Sequence, residues 1–201
     1  AAVRAPVTVK MRLGWDDANR NAPELAAQLE SEGAVMITVH GRTRAQFYKG
    51  QADWEAIRAV RDRISVPLVA NGDCQGAADA RAMLAQSGAD AVMIGRGAVG
   101  RPWLVGAVAS MLAGRTASPP SASDRRDAAL AHYDSLLSTM GAASGVRHAR
   151  KHLVAYARAA EEDGFAGGRA TAMRLATSDD PEEVARLLAH LWDEPLAKAA
   201  A

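Results

Sequence analysis

The sequence contains one cysteine, no long apolar run and almost no net charge. Cys74 has no second cysteine to pair with, which excludes a disulfide scaffold and is typical of a reducing compartment. No apolar stretch approaches the ~20 residues of a membrane span, and residues 1–6 lack the regions of a signal peptide. The 24 basic and 23 acidic side chains leave a net charge of +1, so binding of a polyanion needs a local basic patch. These absences predict a globular, cytoplasmic chain with no membrane partner.

Four units of one strand and one helix occupy the first 112 residues. Each has a short β-branched run, a loop with Gly or Asp and an amphipathic stretch of helical length. The expected strands are Val7–Leu13, Val35–Val39, Pro67–Ala70 and Ala91–Ile94. The expected helices are Pro23–Glu32, Trp54–Arg63 and Gly76–Ser87, and a fourth begins at Pro102. This alternation predicts an α/β fold with a parallel sheet, either doubly wound or closed into a barrel.

A helical region follows a linker. Residues 113–123 contain one glycine, two prolines and three serines, a composition typical of a linker. Residues 124–201 are expected to form a small all-α domain, with helices at Asp124–Met140, Gly145–Ala160 and Glu182–Trp192. The charge changes at the same boundary, because residues 1–123 carry 14 basic and 11 acidic side chains and residues 124–201 carry 10 and 12.

Polar residues interrupt the carboxyl ends of all four predicted strands, where parallel α/β sheets bind ligands. After the fourth strand, Gly95 and Gly97 allow a close backbone approach and Arg96 supplies a positive charge, which predicts a phosphate cradle. A glycine turn needed only for steric reasons is the alternative. Lys10 interrupts the first strand and needs an anionic or polar partner there, unless it faces solvent on an edge strand.

The other two strand ends carry a histidine and an Asn-Gly-Asp turn. His40 is positioned to donate a hydrogen bond to a ligand, and a core histidine with all its bonds made is the alternative. Asn71 and Asp73 flank Gly72 and are either ligand contacts or turn residues only. The ligand-binding interpretation is favoured because four polar interruptions lie at one end of one sheet.

Two other features carry no function in this interpretation. His148 and His152 have the i,i+4 spacing of metal ligands, but no carboxylate lies near them in sequence and basic residues surround them, so no metal is expected. Cys74 has no base predicted beside it and is expected to be an ordinary buried residue.

The helix expected at Gly145–Ala160 has one apolar face and one basic face. The basic face carries Arg147, Arg150, Lys151 and Arg158, and no acidic residue lies between Val146 and Ala160. A merely solvated face more often mixes both signs. The helix therefore predicts polyanion binding, most simply to a phosphate backbone.

Together these motifs resemble the bacterial tRNA-dihydrouridine synthases, the B class most of all. The stretches that carry the resemblance are Val9-Lys-Met-Arg-Leu-Gly14, Thr38-Val-His-Gly-Arg-Thr-Arg44, Asn71-Gly-Asp73, Gly88-Ala-Asp-Ala-Val-Met-Ile-Gly-Arg-Gly97, Gly100-Arg-Pro-Trp103 and Gly145-Val-Arg-His-Ala-Arg-Lys-His152. The resemblance implies that residues 1–112 are the second half of an FMN-binding (β/α)₈ TIM barrel and that residues 124–201 bind tRNA. No obligate protein partner is implied.

The resemblance also implies roles for individual residues. The implied flavin contacts are Lys10, His40, Asn71, Gly72, Asp73, Gly95 and Arg96, of which the last two hold the phosphate. The implied substrate-side residues are Arg42, Arg44 and Tyr48, and the implied tRNA contacts are Arg147, Arg150 and Lys151.

The implied reaction is the reduction of uridine in tRNA to 5,6-dihydrouridine. NADPH reduces FMN, the flavin transfers a hydride to C6 of the uracil, and a cysteine acid protonates C5. The family carries that cysteine in the first half of the barrel, which this sequence does not contain, so no catalytic residue is expected here and the chain alone is expected to be inactive. Two alternatives stay open: an FMN barrel oxidoreductase acting on a small molecule, and a non-catalytic phosphate- or RNA-binding module.

Overall fold

A computed structural model describes residues 3–165 and 167–193 of the chain. Strands and helices alternate in its first part, and helices alone follow. The strands are β1 (Thr8–Arg12), β2 (Met36–His40), β3 (Leu68–Asn71) and β4 (Ala91–Met93). The helices are α1 (Ala22–Ser31), α2 (Arg58–Arg61), α3 (Ala77–Ser87), α4 (Leu104–Leu112), α5 (Ala122–Met140), α6 (Ala142–Glu162), α7 (Gly168–Thr177) and α8 (Pro181–Ala189), with 3₁₀ turns at Glu55–Ile57 and Arg96–Ala98.

The four strands form one parallel sheet in the order β1-β2-β3-β4. Each strand therefore lies beside the strand that precedes it in the chain. A doubly wound sheet reverses its strand order at a switch point, whereas a (β/α)₈ barrel keeps the sequential order. The α/β prediction is confirmed, and the order agrees with a partial barrel.

The sheet is held by apolar side chains on β2 and β3 and by small residues on the helices. Ile37 and Val39 on β2 and Leu68 on β3 are fully buried, as expected for central strands of a parallel sheet covered on its faces. Ala26 on α1 and Ala80 on α3 are also fully buried. Their single methyl groups allow the helices to pack closely against the strands.

The chain divides into two compact units. The first contains the residues up to Gly97 together with Val105–Thr116, and the second contains Ala98–Leu104 and the residues from Ala117 onward. The second unit has its own apolar core, formed by residues of α5, α6, α7 and α8 such as Tyr133, Leu153, Leu175 and Leu188, together with Trp192 after α8. The sequence-based boundaries assigned residues 98–104 to the barrel domain, whereas these residues cluster with the helical unit.

The helices differ from their predictions in several places. The helix expected at Trp54–Arg63 is a 3₁₀ turn followed by the four residues of α2, and the helix expected from Pro102 begins at Leu104. The last helix ends at Ala189 and not at Trp192. Helix α7 was not predicted, because Gly164, Gly167 and Gly168 read as loop signals. In the described part of the chain, no helix is both long enough and apolar enough to cross a bilayer.

Helix α5 begins with a capping box, which supplies the first stability test. The Ser121 hydroxyl accepts a hydrogen bond from the Asp124 N–H at 3.1 Å, and the Asp124 carboxylate accepts one from the Ser121 N–H at 3.0 Å. We expect Ser121→Ala to lower the free energy of unfolding by about 1 kcal/mol, measured by urea denaturation. Ser118→Ala in the preceding linker is the control, and equal effects of the two substitutions would contradict the capping role.

Candidate functional site

A row of side chains crosses the sheet at the carboxyl ends of its strands. Arg12 of β1 is in register with His40 of β2, His40 with Asn71 of β3, and Asn71 with Met93 of β4. Lys10 precedes Arg12 by two residues, and side chains two apart on a strand point to the same face. The parallel register therefore brings five side chains from four strands to one face of the sheet.

A cavity of about 220 Å³ opens at this end of the sheet. All seven residues that the resemblance assigned to the cofactor line it, namely Lys10, His40, Asn71, Gly72, Asp73, Gly95 and Arg96. Its other lining residues are Arg12, Tyr48, Cys74, Gln75 and Gly97. The polar residues found at the ends of the predicted strands thus line one cavity. Their individual roles toward a ligand stay predictions.

The Asp73 carboxylate ties together the loops that follow β2, β3 and β4. One oxygen accepts hydrogen bonds from Arg42 Nη1 at 2.9 Å and from Arg96 Nη2 at 3.1 Å. The other accepts from Arg42 Nη2 at 2.5 Å and from the Ala52 N–H at 2.8 Å. Burial opposes ionisation, but the hydrogen bonds from Arg42 and Ala52 outweigh it, so the pKa of Asp73 lies below its usual value.

Arg42 was expected on the substrate side, but its guanidinium is turned into the protein. The side chain is only 2% exposed. Besides Asp73 it donates to the Lys49 carbonyl at 3.1 Å and the Gly50 carbonyl at 2.7 Å, and its Nη1 lies 3.3 Å from Nε2 of His40. All five N–H groups of Arg42 are therefore used inside the protein, and none is left for a substrate in this conformation.

His40 is neutral at physiological pH. Burial, followed by the nearby charges of Arg12, Lys10 and Arg42, lowers its pKa to about 4. Because the Arg42 guanidinium can only donate, Nε2 of His40 accepts and the ring proton is assigned to Nδ1. The Nδ1–H group is then a neutral hydrogen-bond donor on a cavity-lining residue.

Of the two alternatives for Lys10, the structure shows the solvent-facing position on an edge strand. Lys10 lies on β1, an edge strand of the described sheet, and is exposed. Among the described residues Lys10 makes no ion pair, and its exposed position does not require one. Burial and the neighbouring Arg12 nevertheless lower the pKa of Lys10. Lys10, Arg12 and Arg96 surround a cavity whose one lining carboxylate, Asp73, is already paired, and this charge balance favours an anionic ligand.

The turns around the cavity depend on glycine at two positions. A Cβ at Gly72 would lie 2.7 Å from Ala52 Cβ and 2.8 Å from His40 Cδ2, and the φ of Gly72 is +123°. A Cβ at Gly97 would lie 2.4 Å from the carbonyl oxygen of Cys74. After β4 the chain forms a 3₁₀ turn, so the anion cradle expected at a helix start is a turn and not the amino end of a long helix. At Gly95 a Cβ would meet open space.

Of two further residues that shape the site, sequence reasoning placed Arg12 with Lys10 at the functional end of the first strand without giving it a role, and it did not single out Trp54. Arg12 donates to the carbonyl oxygens of Thr43 and Phe47, both at 3.0 Å, and the Trp54 indole donates to the Gly72 carbonyl at 2.8 Å. The i,i+2 spacing of Lys10 and Arg12 could have indicated the first of these. No sequence signal indicated the Trp54 bond, because it depends on how two loops meet.

Cys74, which also lines the cavity, is not an activated nucleophile. Burial raises the pKa of its thiol, so this cysteine is protonated at neutral pH.

The basic face of α6 lies in the helical unit. Arg147 and Lys151 are exposed and make no ion pair among the described residues, whereas Arg150 is half-buried and bonds to Asp179 at 2.7 Å. The rings of His148 and His152 are 6.4 Å apart, and no cluster of three metal-ligating side chains occurs in the described part of the chain. Two of the three predicted tRNA contacts are thus free cations, and the third is partly neutralised.

The parallel sheet, in sequential strand order with a polar cavity at its carboxyl edge, defines an α/β unit of the partial (β/α)₈-barrel class. The sequence profile of the family described as Dihydrouridine synthase (Dus) matches residues 1–191. The chain belongs to the dihydrouridine synthase family, and the resemblance seen in its motifs is confirmed at that level.

Curated relatives agree with the family match. A probable tRNA-dihydrouridine synthase of Rhizobium leguminosarum bv. phaseoli is 50% identical over 194 residues, which cover 96% of this chain and 58% of the relative. One from Rhodobacter capsulatus is 55% identical, over 79% of this chain and 49% of the relative. The tRNA-dihydrouridine synthase B of Xanthomonas axonopodis pv. citri is 44% identical, over 89% of this chain and 53% of the relative. The chain spans about half the length of these relatives.

The crowding at Gly72 predicts a large loss of stability on substitution. Gly72→Ala combines an unfavourable φ with two contacts below 3 Å, and we expect it to lower the free energy of unfolding by about 3 kcal/mol. Gly33→Ala is the matched control, since Gly33 has a φ of +99° and no atom within 4 Å of the added Cβ. It should cost only about 1 kcal/mol. Equal losses for the two variants in urea denaturation would show that crowding at Gly72 contributes nothing.

The lowered pKa of His40 predicts a pH dependence of stability. Between about pH 6.5 and pH 4 the unfolded chain binds a proton at His40 that the folded chain does not, so stability falls as the pH is lowered through this window. The loss reaches about 3 kcal/mol below pH 4. We expect the stability advantage of the wild type over His40→Gln to shrink by that order as the pH falls. A His40 imidazole that titrates near pH 6.5 by NMR would contradict the assignment.

Proposed function

We propose that the whole protein reduces uridine in tRNA to 5,6-dihydrouridine, with FMN as cofactor and NADPH as reductant. One observation carries the proposal: seven residues assigned to flavin binding from sequence motifs line a single cavity. The relatives named as tRNA-dihydrouridine synthases support the choice of substrate.

The residues of the cavity fit an FMN phosphate and one edge of its ring system. Arg96 would pair with the phosphate, and the Gly95 backbone lies open beside it. Lys10 and the Nδ1–H of His40 would bond to the polar edge of the ring. When bound, FMN would supply the hydride transfer, for which no side chain is suited. The residues of this chain would bind the cofactor. Burial and the neighbouring cations would keep His40 neutral, and Arg42 would hold its ring in place.

The cavity in this chain is smaller than a complete cofactor site. Its volume of about 220 Å³ lies below the roughly 300–1,000 Å³ that ligand pockets usually enclose. Since the matched part of this chain covers only 58% and 49% of two relatives, we propose that a preceding half of the barrel supplies the remaining wall. In this proposal the same half carries the cysteine that protonates the uracil.

The basic face of α6 supports the choice of RNA over a small molecule. Arg147 and Lys151 project two cations from one side of a helix whose opposite face is buried through Val146 and Leu153. A phosphate backbone is the natural ligand for such a face. An oxidoreductase that acts on a small molecule would have no use for this basic face.

Removal of Arg96 should weaken FMN binding selectively at the phosphate. In the whole protein we expect Arg96→Ala to raise the Kd for FMN about tenfold or more and to leave the Kd for riboflavin unchanged, because riboflavin has no phosphate. Flavin fluorescence quenching measures both constants. Arg63→Ala removes an equal charge from an exposed position outside the cavity and is the control. Equal losses for FMN and riboflavin would contradict a phosphate contact.

Removal of the two free cations of α6 should weaken tRNA binding and its salt dependence. We expect Arg147→Ala combined with Lys151→Ala to reduce tRNA affinity and to lower the slope of log K against log salt by about 2. The pair Arg63→Ala and Arg126→Ala removes the same charge elsewhere and controls for net charge. Unchanged affinity, with FMN still bound, would remove the RNA claim and favour the small-molecule oxidoreductase. Retained tRNA affinity without flavin binding would favour the RNA-binding module.

A further inference from the structure

Three exposed aromatic side chains lie on two adjoining loops of the first unit. Trp15, in the loop after β1, is 67% exposed, and Phe47 and Tyr48, in the loop after β2, are 53% and 60% exposed. Tyr48 lines the cavity, but Trp15 and Phe47 do not, and nothing in the site described above uses them. Single exposed apolar residues are ordinary, whereas adjacent exposed rings mark an interaction surface.

Backbone hydrogen bonds join the two loops. The N–H of Arg44 donates to the Gly14 carbonyl at 2.8 Å, and the N–H of Ala45 donates to the Trp15 carbonyl at 2.8 Å. Nearer the ends of the two strands, the N–H of Leu13 donates to the Arg42 carbonyl at 3.1 Å. Trp15 and the loop bearing Phe47 are therefore parts of one surface and not two independent segments.

The loop after β2 is fixed from the inside by two arginines. Arg12 bonds to the Phe47 carbonyl at 3.0 Å, and Arg42 bonds to the Lys49 and Gly50 carbonyls at 3.1 and 2.7 Å. Phe47 itself has a φ of +51°, a left-handed conformation that a bulky residue rarely adopts. Strain of this kind persists where surrounding contacts enforce it and is common at binding sites. The ring of Phe47 is thus presented outward by a preorganised backbone, which lowers the entropy cost of binding.

Guanidinium groups lie over the exposed rings. The Cζ of Arg44 is 4.1 Å from the centre of the Phe47 ring, and that of Arg96 is 4.6 Å from the centre of the Tyr48 ring. The carboxylates of the first loop are occupied within it, since Asp16 accepts from the Ala18 and Asn19 N–H groups and Asp17 pairs with Arg20. Exposed rings combined with arginine match single-stranded nucleic acid, which offers both π-faces and phosphates.

We propose that Trp15 and Phe47 form a stacking surface for unpaired RNA bases that flank the nucleotide held at the cavity. The inference rests on the proposed function and deepens it. Phe47 is next in sequence to the cavity-lining Tyr48, so a strand that presents one base at the mouth of the cavity, beside the proposed cofactor, would bring its neighbours onto this surface. Stacking accepts every base, so the surface would hold the strand without reading its sequence. A protein partner would use the same rings but would not need the arginines placed over them.

The test separates stacking from charge in the whole protein bound to unmodified tRNA. We expect Phe47→Leu and Trp15→Leu each to weaken binding about five- to a hundredfold with no change in the salt slope, because a ring is lost and no charge is removed. Phe47→Tyr and Trp15→Phe keep a ring and should retain most of the affinity. Arg44→Ala should instead lower the slope by about 1. Leu25→Ala, at a 37% exposed position on α1, is the control and should change nothing.

A second measurement covers variants that fold poorly. Phe47→Trp places an indole on the surface, and we expect its fluorescence to be quenched when a short unpaired oligonucleotide binds. Absence of quenching while the oligonucleotide is bound would overturn the inference. Leucine variants with full tRNA affinity would also overturn it, and if Arg147→Ala with Lys151→Ala still weakened binding, the proposed function would stand. If light scattering shows that the wild type self-associates and that Phe47→Leu abolishes this with tRNA affinity intact, the surface is a protein interface instead. A wild-type protein that binds no tRNA would remove both proposals.

Discussion

The ion pair between Arg42 and Asp73 is the contact on which the cavity depends. A guanidinium that is 2% exposed would be very costly without a partner, and the Asp73 carboxylate meets it with both oxygens. The same carboxylate holds Arg96 and the Ala52 N–H, so one buried charge pair connects the loops after three strands. Arg42 then reaches His40 and two loop carbonyls. The positions of His40 and Arg96 in the cavity are therefore coupled through this pair.

This coupling explains why the site combines cations with a neutral histidine. Arg12, Lys10 and Arg42 all disfavour a second proton on His40, and burial adds to their effect. The single lining carboxylate is used to hold arginines and is not free to repel an anion. The cavity thus keeps an electropositive rim beside an uncharged histidine, which agrees with the anionic cofactor that we propose.

The polar cavity belongs to the first unit, and the basic face of α6 belongs to the second. In the first unit, a parallel register collects residues that are far apart in the sequence. In the second, helical periodicity alone separates the buried Val146 and Leu153 from the exposed Arg147 and Lys151. Membership of the dihydrouridine synthase family gives both features one context, and the matched part of this chain covers about half of each relative's length.

The local pattern was enough for the alternation of strands and helices, because periodicity and turn residues act over a few positions. It also brought out Lys10, His40, Asn71 and Arg96, since polar residues ending apolar strands stand out by contrast. It failed for the helix at Trp54–Arg63, most of which is a 3₁₀ turn and four residues of α2, and for α7, whose glycines resemble a loop. Tertiary structure alone decided that Arg42 faces inward, that Asp73 joins three loops and that Trp15 adjoins Phe47. Those relations depend on the approach of loops 20 to 30 residues apart in the chain, and no local preference specifies the direction in which a long side chain turns once that approach is made.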